Sequence, residues 1–326
     1  MKETRDESNR ICRRWADKAK DYLSDLKGLK YIQYRKEWEF CGSEQVDIGN
    51  PLQLNIELTA NCNLRCRMCY RNYDIQVRDG TLPLSDIKLL AQEVSSMKIP
   101  SVWLSGGEPL MHPEIEEVLK TFSSVSPLDF WMVTNGLLLS PKICKTIIES
   151  ELTWLSVSID ASNAQTYKKI RGGSYDTLIR NIDVFLDMRR KMNSQLPFLR
   201  VSFIKMEENS NEESEFVEYW KDKADIIDIQ TLADYHNLEQ FSIEDVLQSD
   251  YKCTAPFTLI SVLPNGDIIP CCNGFYGEKS RYNIHNTSLS DYWNSSYHKM
   301  FAQAIKEKHY CKECINCIKS FLPRKK

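Results

Sequence analysis

The chain has 326 residues, 42% of them hydrophobic, and its 42 basic and 45 acidic side chains leave a formal net charge of -3. That length can bury a substantial core, and nothing in the near-balanced charge points to nucleic acid; a solvated, mixed-sign surface is expected. No apolar run approaches the roughly 20 residues that a bilayer span needs, and the charged first fifty residues lack a signal-peptide pattern, so a cytoplasmic setting is expected.

Residues 1–50 form an N-terminal extension, with Ile11, Trp15, Ala19, Tyr22 and Leu26 on one helical face that should pack on the strand–helix region beginning at residue 52. From there, short apolar strands alternate with amphipathic helices. Leu52 to Leu58 reads as a strand, then comes a helix with Ile87, Leu90, Ala91 and Val94 on one face and Ser85 as its cap. Ser101 to Leu104 is the next strand, then a helical face of Ile115, Val118, Leu119 and Phe122. Phe130 to Val133 precedes a helix opened by Ser140-Pro141. Leu155 to Ile159 precedes the helix of Leu178, Ile179, Ile182 and Leu186, and Leu199 to Ile204 that of Phe216, Val217 and Trp220. Ile226 to Ile229 closes the series.

Six such units imply an α/β fold, a partial (β/α)6 TIM-like barrel over residues 51–250. Chemistry in such folds sits at the C-terminal strand ends. The pattern breaks near Tyr251, and residues 251–326 read as a small α+β extension. Its hairpin of Leu259 to Val262 and Asp267 to Pro270 turns through Pro264-Asn265-Gly266, and one helix should run from about Leu289 to Lys306.

Twelve cysteines in a reducing setting suggest metal or redox chemistry rather than disulfides. Three stand at 62, 66 and 69, and six at 253, 271, 272, 311, 314 and 317. Cys144 shares an apolar stripe with Ile143, Ile147 and Ile148 and reads as a core residue. The front three come directly after the first strand in a polar loop. Three thiolates leave one iron of a 4Fe–4S cluster open to a small molecule, whereas zinc favours closed four-ligand sets.

Cys62-x3-Cys66-x2-Cys69 with Tyr70 next resembles the signature of the radical S-adenosylmethionine superfamily. Gly106-Gly107-Glu108-Pro109, after the second strand, is similar to the motif that binds the methionine amino group in that family. Thr134-Asn135-Gly136, Ser158 and the Arg171-Gly172-Gly173 stretch resemble its contacts to the cofactor's edge, carboxylate and ribose. Asp160 either holds its loop or touches a ligand. The resemblance implies reductive cleavage of S-adenosylmethionine to a 5′-deoxyadenosyl radical that takes hydrogen from a substrate, with a flavodoxin- or ferredoxin-type protein as reductant.

Cys253-x12-Gly266-x4-Cys271 resembles the SPASM and twitch extensions of the family, and Cys311 with Cys314 would complete one auxiliary 4Fe–4S cluster. Six thiols are too few for two full clusters. Cys271 and Cys272 are neighbours that should point apart, and Cys317 leaves the choice among 311, 314 and 317 open. Relatives with one auxiliary cluster imply oxidation of a sugar or aminocyclitol alcohol. The alternatives are a radical epimerase using Cys272 or Cys317 as hydrogen donor, a peptide-modifying enzyme, and a non-catalytic iron–sulfur carrier. His236, after the sixth strand, is the expected base or substrate contact.

Overall fold

The structure, a computed structural model, describes residues 3–5, 11–13, 17–69, 79–235, 237–272 and 280–323, side chains up to residue 20 excepted. A two-stranded antiparallel ribbon pairs β1 (Glu3–Arg5) with β2 (Ile11–Arg13), and α1 (Asp17–Glu44) comes next. The strand–helix series then runs β3 (Gln53–Thr59), α2 (Leu84–Met97), β4 (Ser101–Gly106), α3 (Ile115–Ser124), β5 (Asp129–Thr134) and α4 (Pro141–Glu149). It continues with β6 (Trp154–Ser158), α5 (Ala164–Ile170), α6 (Tyr175–Lys191), β7 (Phe198–Lys205), α7 (Glu213–Trp220) and β8 (Ile226–Thr231). After these come α8 (Ile243–Gln248), α9 (Ala255–Thr258), β9 (Leu259–Val262), β10 (Ile268–Ile269), α10 (Leu289–Asn294), α11 (Ser296–Lys306) and α12 (Lys312–Phe321).

Strands β3 to β8 lie side by side in chain order and pair in parallel, as six strand–helix units require. The hairpin of β9 and β10 does not stand apart from this sheet. Strand β9 pairs in parallel with β3, Asn55 opposite Ser261, and extends the barrel sheet on its first edge.

Alternation along the strands divides the side chains between two faces. Leu54, Ile56 and Leu58, Val102 and Leu104, Val201 and Phe203, and Ile227 and Ile229 face the helices in one continuous core with Phe122, Ile182 and Trp220. Each such side chain contributes about 1.5–3 kcal/mol by leaving water. Cys144 belongs to this core. The opposite residues point into the barrel.

Helix α1 closes the N-terminal end of the barrel. Its packed residues are Leu23, Tyr31, Tyr34 and Cys41, against Leu52, Trp154, Phe198 and Ile226. This differs from the expected face: Leu26 is 53% exposed and Ile11 lies in β2. The helix begins only at Asp17, after a strand, so a helical wheel drawn from residue 11 fails, although Tyr22 of the expected face does pack edge-on against Phe198 at 5.6 Å. Farther along, the helix is kinked at Gly28, whose φ of 65° is left-handed. Lys27 Nζ donates to Leu128 O at 2.7 Å and to Thr153 Oγ1 at 2.9 Å, tying α1 to the chain entering β5 and β6.

Two further expectations are corrected. Ser85 lies inside α2, which starts after extended Pro83 without a side-chain cap. The helix expected over 289–306 is two, because Ser295 is extended and its hydroxyl caps α11 by accepting from His298 N–H. Ser140 does cap α4, accepting from Ile143 N–H at 3.3 Å.

Candidate active site

The loop 61–69 leaves β3 at its C-terminal end. Cys62, Cys66 and Cys69 are half-buried on it and form no disulfide. Three neighbouring turns hold it. Gly107 N donates to Thr59 O at 2.7 Å and Glu108 N to Asn61 O at 2.8 Å. Gly106 has φ +120°, and a Cβ there would sit 2.7 Å from Thr59 O, so only glycine lets β3 and β4 approach this closely. Asn135 Nδ2 donates to Asn63 Oδ1 at 2.7 Å, and Arg67 N to Ile170 O at 2.9 Å.

Within the loop, Leu64 N donates to Cys62 Sγ at 3.5 Å and Arg171 Nη1 to Cys66 Sγ at 3.6 Å. Burial pushes the Cys66 thiol up from its ordinary value. Arg171 opposes this, and Cys69 and Cys62 add to it as neighbouring like charges. The Cys66 sulfur is therefore unfavourable as a bare thiolate and bound iron would neutralise it, so Cys66, with Cys62 and Cys69 on the same loop, fits an iron–sulfur cluster.

The other motif residues converge on this loop. Glu108 is 1% exposed, and its carboxylate accepts from Thr134 Oγ1 at 2.6 Å, Asn135 N at 2.7 Å and Leu110 N at 3.1 Å. It therefore latches the Gly106–Pro109 turn to the Thr134–Gly136 turn. Asp160 is fully buried with a left-handed φ of 64° and holds Arg171 through Nε at 2.9 Å and through Nη2. Ser158 ends β6, half-buried, opposite Ser202. Tyr70 and His236 lie outside the described residues.

The barrel lumen behind the loop carries groups that the motifs do not include. Gln53, Asn55 and Glu57 face inward from β3 and are buried. Trp103 and Trp131 stack at 5.7 Å, Trp131 and Trp154 at 4.8 Å, and Phe198 continues the row at 5.3 Å from Trp154. The Arg200 guanidinium lies 5.6 Å over the Trp131 ring and pairs with Asp228. Gln230 Nε2 also donates to Asp228 Oδ2, at 2.8 Å. Asp228 Oδ1, Trp103 Nε1 and Ser261 Oγ are buried with no hydrogen-bond partner among the described residues. The sequence does carry a signal for these groups, since Gln-Leu-Asn-Ile-Glu and Ile-Asp-Ile-Gln alternate polar and apolar residues, and a parallel strand facing only core does not.

The C-terminal thiols share one neighbourhood. Burial pushes the Cys253 thiol well up, and Cys317, Cys271 and Cys272 add to the rise. Cys311 is drawn down to about 7, first because Cys314 donates a hydrogen bond to it. Cys271 is half-buried and Cys272 exposed, both in a bend beyond β10. Asp234 N donates to Ser320 O at 2.9 Å, and Cys317 acts on the neighbouring Tyr235, so the chain leaving β8 lies against α12. These residues fit a second cluster as the front three fit the first.

A parallel barrel with a three-thiol loop at its strand ends and a second group of thiols toward the C-terminus has the make-up of an iron–sulfur protein. Residues 56–201 match the Radical SAM superfamily, and residues 253–318 match SPASM, an iron–sulfur cluster-binding domain. The chain carries a Radical SAM domain followed by a SPASM domain, and these two domains imply 4Fe–4S clusters and S-adenosylmethionine as its cofactors.

It is 37% identical over 136 residues to the AdoMet-dependent heme synthase of Methanosarcina barkeri (strain Fusaro / DSM 804), covering 41% of this chain and 39% of that protein. It is 31% identical over 173 residues to the GTP 3′,8-cyclase of Lactiplantibacillus plantarum (strain ATCC BAA-793 / NCIMB 8826 / WCFS1), covering 52% of this chain and 50% of that one. The chain thus spans half or less of these relatives' length. The crystal structure of Streptococcus suis SuiB shares the fold, with a TM-score of 0.62, 17% identity, and coverage of 87% of this chain and 74% of that one. Among the described residues no helix is long and apolar enough to cross a membrane.

Proposed function

We propose that this enzyme oxidises an alcohol of a small polar substrate, a sugar or aminocyclitol, held in the barrel lumen. The observation that carries the reading is Asp228, a fully buried carboxylate whose Oδ2 takes two donors and whose Oδ1 takes none among the described residues. A buried oxygen without a donor costs about 1–3 kcal/mol, which a substrate hydroxyl would recover. When bound, the front cluster with S-adenosylmethionine supplies the radical that removes a carbon-bound hydrogen, and the C-terminal cluster supplies a place for one electron.

The chain's own residues do the rest. Asp228 Oδ1 accepts the hydroxyl proton, which balances the loss of one hydrogen from carbon and one electron as the ketone forms. Arg200 and Gln230 fix the carboxylate's orientation from the far oxygen. Trp103, at the end of the stacked row, suits the C–H face of a ring, and α1 shuts the lumen's other end. Tyr70, Gly106, Gly107, Pro109, Asn135, Ser158 and the backbone around them would cradle the cofactor, with Cys253, Cys271 and members of the 311, 314, 317 set as ligands behind.

Reaction in deuterated water tests this. A product two mass units lighter with no new carbon-bound deuterium supports it. An isomer carrying one such deuterium would overturn it in favour of an epimerase with Cys272 or Cys317 as donor. SuiB has been solved with its precursor peptide SuiA, and on that likeness peptide modification is the second reading. A mass change in a peptide, with no small alcohol oxidised, would establish it.

A further inference from the structure

The geometry points to Arg171 as a hydrogen-bond donor to the Cys66 sulfur that raises the potential of the cluster on the 62–69 loop, with Asp160 as its positioning residue. The proposal rests on the reading of that loop as a cluster site, and it differs from the contact to the cofactor's carboxylate that the resemblance implies. Arg171 is 8% exposed and stands just past the last turn of α5. Two of its three guanidinium nitrogens, Nε and Nη2, are held by the single oxygen Asp160 Oδ2, and Nη1 is the one turned to Cys66 Sγ at 3.6 Å.

Asp160 is itself immobilised. Its Oδ1 accepts from Ile204 N at 2.8 Å and its carbonyl from Asn209 Nδ2 at 2.9 Å. Asn209 also binds Ile204 O at 2.8 Å and Met206 N at 2.7 Å, which fixes the turn after β7. The backbone works in the same direction, because Arg67 N donates to Ile170 O next door. The ion pair is oriented with its positive end at the sulfur and its negative end away from it. A cationic donor on a ligand sulfur stabilises the more negative, reduced cluster, and hydrogen bonds to sulfur are a principal control of cluster potential. A guanidinium placed only to meet a cofactor would not need its reach consumed by a thiol.

The test is a redox titration, monitored by electron paramagnetic resonance, of the anaerobically reconstituted full chain without S-adenosylmethionine. The C-terminal cluster serves as internal reference. Arg171→Gln should move the front cluster to lower potential and leave the reference in place, with Arg171→Lys between it and the wild type. Asp160→Asn should behave like Arg171→Gln, and if Asp160→Asn unfolds, the two Arg171 variants carry the test. Loss of about four irons per chain from both Arg171→Gln and Arg171→Lys, with unchanged circular dichroism, would overturn it, since the residue would then hold the cluster in place and not tune it. Front-cluster potentials equal to wild type in both Arg171 variants, with only S-adenosylmethionine affinity lowered, would overturn it while sparing the functional reading. Wild-type protein that assembles no cluster on this loop would overturn both.

Discussion

Asp228 shows how much of a site depends on one atom. Its Oδ2 is occupied by Arg200 and Gln230, so the Asp228→Asn amide can keep its packing and lose only the proton acceptor. General-base loss is worth about 10²–10⁴-fold in rate. Asp228→Asn should therefore lower ketone formation by at least about 10²-fold while uncoupled 5′-deoxyadenosine release continues; equal loss of both would remove the residue from proton transfer. Glu108 is the contrasting case, because its three hydrogen bonds join two turns. Glu108→Ala leaves Thr134 Oγ1 and Asn135 N without their acceptor in a buried place, a cost of about 1–3 kcal/mol. We expect a lower denaturation midpoint together with weaker S-adenosylmethionine binding by equilibrium dialysis. Weakened binding at unchanged stability would mean that the carboxylate meets the cofactor directly.

At the scale of elements, α10 and α11 meet at a break that the sequence hides. His298 stacks on Trp293 with ring centroids 4.3 Å apart and lies 5.4 Å from Tyr292. Burial lowers its pKa from 6.5 to about 4, against the pull of Asp47. The unfolded chain thus takes up this proton at higher pH than the folded one. Stability is full above about pH 6.5 and falls as pH drops toward 4, by up to about 3 kcal/mol. His298→Phe should shrink the difference in urea midpoint between pH 7 and pH 5 relative to wild type. An undiminished difference would assign the acid sensitivity elsewhere. The barrel elements are legible in the sequence because each strand–helix unit carries its own local signal, an apolar run or a 3.6-residue stripe. Ser295 is not, since serine suits a helix interior poorly but ends one only when the chain turns there. The face of α1 is not either, because the helix starts only at Asp17 and the residue that opens the expected stripe, Ile11, belongs to a strand. The lumen escapes for a related reason: Glu57 and Asp228 stand on the first and last of the six barrel strands, and only the curl of the sheet turns both toward one interior.

The whole molecule keeps its two thiol groups at separate places. Replacing Cys62, Cys66 and Cys69 together with Ala should abolish 5′-deoxyadenosine formation yet leave roughly four irons per chain. Complete loss of iron would remove the C-terminal cluster from the account. The pairing of β9 with β3 has an implication for synthesis. As the ribosome delivers the chain, β3 (Gln53–Thr59) emerges early, but the strand that covers its outer edge, β9 (Leu259–Val262), comes far later. Until then a buried-type strand, apolar on one face and with unpaired amides along its rim, faces water, an invitation to pair with another nascent copy. A fragment ending at residue 250 retains all six barrel strands and that open rim. It should sediment in aggregates on expression, and adding residues 251–326 in trans should not restore it to the supernatant, because the late segment must arrive while tethered. A monodisperse, soluble 1–250 fragment would show that the rim is guarded in some other way. The seam makes the last quarter of the chain the latch of the first strand.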